Sequence, residues 1–169
     1  MIYDECHTTI GCLRFIFHEN NGALQRVILT DHLWNAISAE QVVKRSKELG
    51  KSVSHQIHEY LHGHRQQFDL LFDLIGTPFQ KQVWESLTKI PYGETRTYSQ
   101  IAESIGRNSR FARATGSAIS HNPLPLIIPC HRVIGIHHTL TGYVGGLEMK
   151  RQLLHIEGVH LKEKINQNK

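Results

Sequence analysis

The chain has 169 residues, 40% hydrophobic and 20% charged, with a mean hydropathy of -0.32, enough for one ordinary domain or two small ones sharing a boundary. No apolar run approaches the roughly 20 residues of a membrane span, which excludes a helical membrane protein, and the composition excludes collagen-like and fibrous classes. The first residues, MIYDECHTTI, are acidic and contain no apolar leader, so a cytoplasmic protein is predicted. Three cysteines, Cys6, Cys12 and Cys130, give no disulfide framework; each is filler, metal ligand or nucleophile.

The net charge of +4 is unevenly spread: residues 1–76 hold 7 Lys and Arg against 9 Asp and Glu, residues 77–169 hold 12 against 6. Between Glu103 and Glu148 there is no acidic residue, while Arg107, Arg110, Arg113 and Arg132 all fall there. That is the electrostatic footprint of a polyanion partner, with a solvated basic face as the alternative that composition leaves open.

Residues 10–18 and 23–29 read as strands joined at Asn21-Gly22, a hairpin signal. Ser38 with Gln41 resembles a capping box opening a helix that Gly50 closes, and a second helix is predicted over 54–63. Residues 66–75 alternate Phe68, Leu70, Phe72 and Leu74 against Asp69 and Asp73, which predicts a third strand. After Gly76 the period becomes helical: Thr77-Pro78 starts a helix whose stripe is Phe79, Val83, Trp84, Leu87 and Ile90, and a boundary near residue 76 follows. Thr97 and Gln100 cap a short helix that stops at Gly106, and Ser109 caps a second to about Ser120. Two short helices across a glycine turn form the helix-turn-helix pattern. Ala112, Ala114, Gly116, Ser117 and Ala118 leave the second helix little bulk, suited equally to close core packing or close approach to DNA.

Cys130 stands in Pro129-Cys130-His131-Arg132 after an apolar segment whose prolines forbid a regular helix. Imidazole and guanidinium are the right types to lower a thiol pKa, although neighbours on an extended chain point to opposite faces. The loop Thr141-Gly142-Tyr143-Val144-Gly145-Gly146 sets three glycines around an aromatic, a composition suited to a flat ligand.

Gly76-Thr77-Pro78-Phe79-Gln80, Val83-Trp84, Ile90-Pro91-Tyr92-Gly93-Glu94-Thr95, Arg113-Ala114, Asn122-Pro123, Ile128-Pro129-Cys130-His131-Arg132-Val133-Ile134 and Gly142-Tyr143-Val144-Gly145-Gly146-Leu147 together resemble the O6-alkylguanine-DNA alkyltransferase family across nearly all of 76–158. Residues 1–75 match only in general plan.

The resemblance implies an α+β fold: a small antiparallel sheet with helices in an N-terminal α/β (ribonuclease H-like) domain over 1–75, then a mostly helical, winged-helix-like DNA-binding and alkyl-transfer domain over 76–169. It implies direct reversal of DNA damage by single-turnover transfer from O6-alkylguanine, with O4-alkylthymine as a further candidate lesion, and needs no cofactor or metal. Cys130 becomes the nucleophile, His131 its base through a water, and Glu157 the group that holds the imidazole. Tyr98, Asn122, the Val133 backbone, Tyr143 and Val144 are implied in base binding. Arg113 is the implied finger that fills the stack, with Ala112, Arg110 and Arg107 on a double-stranded DNA partner bound through its minor groove by a monomer. From the residues alone, the helix would enter the major groove.

Val144 stands where the family often has Ser or Ala, which reshapes the pocket, and the turn at Arg107-Asn108-Ser109-Arg110 is a residue longer than usual and lacks a common proline. Two other classes fit parts of the pattern: a winged-helix regulator or alkylation sensor without transfer, and a cysteine hydrolase with many turnovers. His55, His58 and His62 share a helical face that could bind zinc, but no cysteine or carboxylate completes a familiar spacing, and a solvated face is the commoner outcome.

Overall fold

The structure, a computed structural model, describes residues 1–161; the end of the expected second domain, 162–169, lies outside the described residues. Strands β1 (Ile2–Thr8), β2 (Gly11–Phe17) and β3 (Leu24–Ile28) form an antiparallel meander, and the short β4 (Lys44–Arg45) adds parallel to β1, giving the order β3-β2-β1-β4. The sheet is therefore mixed rather than purely antiparallel. The hairpin at residues 18–23 is present, with Gly22 at φ 69°.

The helix expected from Ser38 starts earlier. Thr30 accepts the amide of Leu33 and opens α1 (Asp31–Ala39), Ser46 opens α2 (Lys47–Leu61), and Ser38 merely donates to the Asn35 carbonyl. Gly50 lies inside α2 instead of ending it, with no left-handed φ to stop the helix, and it is glycine because any Cβ there would collide with the Asp4 carboxylate. Glycine is the condition for α2 to lie against β1.

Residues 66–75 are extended but do not form a strand ladder. Only an isolated bridge links Phe72 to Leu24, and Gln56 takes over the pairing: its amide donates to the Asp69 carbonyl at 2.7 Å and accepts the Asp69 amide at 2.8 Å. Phe68, Leu70 and Leu74 pack on the core while Phe72 turns out.

The second half follows the expected capping. Thr77 and Gln80 make a capping box for α3 (Pro78–Thr88), which buries Val83, Trp84 and Leu87; Thr97 and Gln100 do the same for α4 (Tyr98–Ser104). Asn108, not Ser109, caps the next turn: its Oδ1 accepts from the Arg110 amide above a 3-10 turn at Ser109–Phe111, and α5 (Ala112–Ser120) begins beyond it. The Trp84 indole donates to the Ala118 carbonyl at 2.9 Å and ties α3 to α5. Two residues at β5 (Arg96–Thr97) pair in parallel with β6 (Val133–Ile134), and α6 (Gly146–Ile156) closes the described chain.

One apolar cluster runs through both halves, from Leu13, Phe15 and Leu24 through Val53, Ile57 and Tyr60 to Val83, Trp84, Leu124, Ile128 and Leu153. No helix among the described residues is long and apolar enough to cross a membrane. On α2, His62 Nδ1 lies 2.7 Å from its own helix carbonyl at His58, and His55 lies 3.4 Å from Glu59. Among the described residues, no group of three His, Cys, Asp or Glu is placed to hold a metal.

Candidate active site

The segment after α5 is shaped by side-chain hydrogen bonds. Asn122 accepts the Leu124 amide at 3.0 Å and donates to the Ile128 carbonyl at 2.9 Å, so it clamps both ends of the proline-containing loop. Inside that loop the buried Leu126 adopts φ 75°, a left-handed conformation that costs a non-glycine residue about 1–3 kcal/mol and persists where surrounding structure enforces it. Cys130 then sits at the start of a 3-10 turn, its amide bonded to the Ile128 carbonyl at 2.7 Å. Asn122→Ala is expected to lower stability by about 1–3 kcal/mol, read as the urea midpoint, because two buried backbone groups lose their partners.

Cys130 lines a cavity of about 440 Å³ with Tyr98, Gly116, Ile119, Ser120, Asn122, Gly142, Tyr143 and Val144. The β5–β6 pairing sets Tyr98 opposite the segment that follows the cysteine, and its hydroxyl lies 2.8 Å from Thr141 Oγ1. Gly116 brings the backbone of α5 against the Tyr98 ring; a Cβ there would stand 3.4 Å from it. Val133 does not line the cavity: it is fully buried, and its carbonyl accepts from Lys150 Nζ at 2.5 Å. Gly116, Ile119, Ser120 and Gly142 join the wall without having been singled out for base binding.

Behind the cysteine lies a buried polar group. His131 Nε2 is 2.7 Å from Glu157 Oε1; Arg132 donates to Glu157 Oε2 from Nε at 2.9 Å, to Oε1 from Nη2 at 3.0 Å, and to the Ile90 carbonyl at 2.6 Å. The guanidinium therefore serves the carboxylate, not the thiol, and the 3-10 turn brings the adjacent His131 and Arg132 to the same Glu157. Gly93 donates its amide to Oε2 at 3.2 Å, and Tyr60 donates its hydroxyl to Oε1 at 2.6 Å. A carboxylate can only accept, so the contact to Glu157 places the imidazole proton on Nε2 and leaves a lone pair on Nδ1, which has no partner among the described residues.

The electrostatics follow from burial. Desolvation pushes the Cys130 thiol up to about 11, against the Asn122 hydrogen bond and the Lys150 charge, which pull it down. Desolvation also lowers the His131 imidazole despite Glu157. Burial alone would raise Glu157, but hydrogen bonds from His131, Arg132 and Tyr60 hold it at about 2. Lys150, brought down to about 8 by burial, also donates to the Thr141 carbonyl at 2.8 Å and staples the glycine loop to the segment after Cys130. The arrangement suits a neutral thiol that ionises as a proton leaves toward Nδ1.

The DNA-facing candidates lie together at the start of α5. Arg107, Arg110 and Arg113 are exposed, Ala112 is half-buried, and the Arg107 guanidinium sits 5.4 Å from the centre of the Phe111 ring.

The chain matches the family model described as 6-O-methylguanine DNA methyltransferase, DNA binding domain, over residues 78–159. It is 39% identical over 168 residues to the constitutive methylated-DNA–protein-cysteine methyltransferase of Bacillus subtilis, covering 96% of this chain and 98% of that one. It is 48% identical over 113 residues to the methylated-DNA–protein-cysteine methyltransferase of Methanosarcina acetivorans, covering 67% of this chain and 72% of that one. The structure superposes on the Mycobacterium tuberculosis OGT in complex with DNA with a TM-score of 0.83 at 38% identity, over 93% of this chain and 92% of that one. With this coverage at both sequence and fold level, the chain belongs to the methylated-DNA–protein-cysteine methyltransferase family.

Proposed function

We propose that this protein repairs alkylated DNA by moving the alkyl group of O6-alkylguanine onto Sγ of its own Cys130, once per chain. The observation that carries the proposal is a buried cysteine at the wall of a base-sized cavity, with a His131–Glu157 pair behind it whose free lone pair is Nδ1. The thiol proton passes through a water to Nδ1. The sulfur electron pair attacks the alkyl carbon, the bond from that carbon to O6 breaks with its electrons going to the guanine, and the guanine anion is stabilised by a hydrogen bond donated from the Tyr98 hydroxyl until it takes a proton from water, while the imidazolium returns the thiol proton to solvent. Asn122, Tyr143 and Val144, on the cavity wall, are assigned to holding the base, whereas the buried Val133, whose carbonyl accepts from Lys150, is assigned to the support behind it. The product is a thioether, and nothing in this sequence of steps regenerates the thiol.

In this reading a monomer approaches double-stranded DNA from the minor groove, with Arg113 filling the stack and Ala112 allowing close contact. Arg107 and Arg110 face phosphates, and O4-alkylthymine is a secondary lesion. The reading keeps the division at residue 76, an α/β domain of ribonuclease H-like plan over 1–75 and a DNA-binding and transfer domain over 76–169. Exposed arginines at one end of a small-residue helix support that orientation.

The test is intact mass after incubation with duplex DNA containing O6-methylguanine. One methyl per chain, mapped to Cys130 and absent from Cys130→Ser, is expected. Methyl on Cys6 or Cys12, repeated turnover, or binding with no mass gain would each overturn the reading, the last in favour of a sensor.

A further inference from the structure

We propose that Tyr60, carried on α2 outside the segment that matches the family's DNA-binding domain, is a positioning residue of the transfer site: its hydroxyl locks Glu157 and the Nε2–H of His131 into one geometry, leaving Nδ1 as the base. This rests on the alkyl-transfer reading for its purpose but not for its geometry.

Tyr60 is fully buried on the inner face of α2 with Val53 and Ile57. Its ring packs on Phe68 and edge-on to Tyr92, at centroid distances of 5.3 and 6.2 Å. A buried tyrosine hydroxyl needs a polar partner, and here it has two: Glu157 Oε1 at 2.6 Å and His131 Nε2 at 3.1 Å. The single hydroxyl proton goes to the carboxylate, which cannot donate, so the phenol oxygen is left to accept from Nε2–H, whose other acceptor is Glu157 Oε1. The tautomer with a proton on Nε2 satisfies all three groups. The alternative, a proton on Nδ1, would set two lone pairs against each other at 2.7 Å.

The groups that face the hydroxyl come from every element around it: Glu157 at the end of α6, His131 and Arg132 from the 3-10 turn, Tyr92 from the turn before β5, and Tyr143 from the glycine loop. Burial and the Glu157 charge raise the Tyr60 phenol well above its ordinary range, so it remains a donor throughout the working pH range. As a donor it draws charge from Glu157 and limits how strongly that carboxylate stabilises an imidazolium. Without the hydroxyl, Glu157 holds the protonated ring more firmly, and His131 becomes an available base only at higher pH.

Tyr60→Phe keeps the ring and removes the oxygen. The measurement is the rate of Cys130 alkylation against pH with two probes, duplex DNA containing O6-methylguanine and iodoacetamide, both read by peptide mass at Cys130. The acid limb is expected to move up by about one pH unit with both probes, and the rate on that limb to fall about tenfold. Site-specific 3-fluorotyrosine at position 60, a more acidic phenol, should move the limb the other way, and it carries the test if Tyr60→Phe fails to fold. Profiles that coincide with the wild type for the folded variants overturn the proposal. A shift with iodoacetamide in a protein that takes no methyl from DNA supports Tyr60 and overturns the alkyl-transfer reading instead.

Discussion

Glu157→Ala is expected to remove about 3–5 kcal/mol of folding stability and to abolish methyl transfer at neutral pH. The carboxylate is buried and accepts from Tyr60, Gly93, His131 and Arg132. Its removal strips the buried Arg132 guanidinium of its carboxylate and leaves it the Ile90 carbonyl and the Tyr92 ring, and removing one member of a buried ion pair costs far more than the pair contributes net. The pH dependence has a definite sign. Glu157 is held at about 2 from an ordinary 4.5, so its contribution, about 3 kcal/mol by linkage, is complete above pH 4.5 and is lost as pH falls from there toward 2. Urea unfolding at pH 7 and pH 3 should show the gap between wild type and variant narrowing at the lower pH. A gap that is equal at both would mean that the lost stability comes from packing rather than charge.

Arg113→Ala should depress methyl transfer from duplex DNA by tenfold or more while changing reaction with free O6-benzylguanine little. Extruding a base costs on the order of a few kcal/mol, and each 1.4 kcal/mol is a factor of ten. A side chain that occupies the vacated stack recovers part of that cost only when a base has left a duplex. Arg113 is exposed at the first turn of α5 and is not among the cavity-lining residues, so nothing ties it to the free-base reaction. Comparing the two substrates on one preparation decides the matter. Equal loss on both would assign Arg113 to the fold or the pocket wall, and the finger role would fall.

Much of the site was legible because Cys130 and the glycine loop carry motif chemistry of their own and the family resemblance implied the rest. Cys130, Asn122, Tyr143, Val144 and Tyr98 are all found on one cavity, and His131 does meet Glu157. Tyr60 was not legible as part of it. Its spacing with Val53 and Ile57 marks a buried helical position, but its partner lies 97 residues away, and only the fold brings the hydroxyl and carboxylate together. That the Lys150 ammonium is buried on two loop carbonyls has no local signature in the sequence. The misplaced helix starts have a shared cause: Ser38-x-x-Gln41 and Ser109 offer cap chemistry, while Thr30, Ser46 and Asn108, equally suitable by type, hold the positions where the backbone turns. Alternation over 66–75 reports a half-buried extended chain and not what pairs with it; here one bridge to Leu24 and the Gln56 side chain do.

The apolar cluster common to both halves limits how this chain can be recombined. Val27 donates its amide to the Pro123 carbonyl at 2.9 Å, and Leu24, Ile57 and Tyr60 share one cluster with Trp84, Leu124 and Ile128. A chimera that joins residues 1–75 of this protein to the second half of a relative must carry matching side chains across that seam. Without them it gains cavities and clashes behind the cysteine, at a place no active-site alignment would flag. Grafts that exchange the exposed start of α5 cross no such seam, so the exposed Arg107, Arg110 and Arg113 can be transplanted as a surface patch where whole halves cannot.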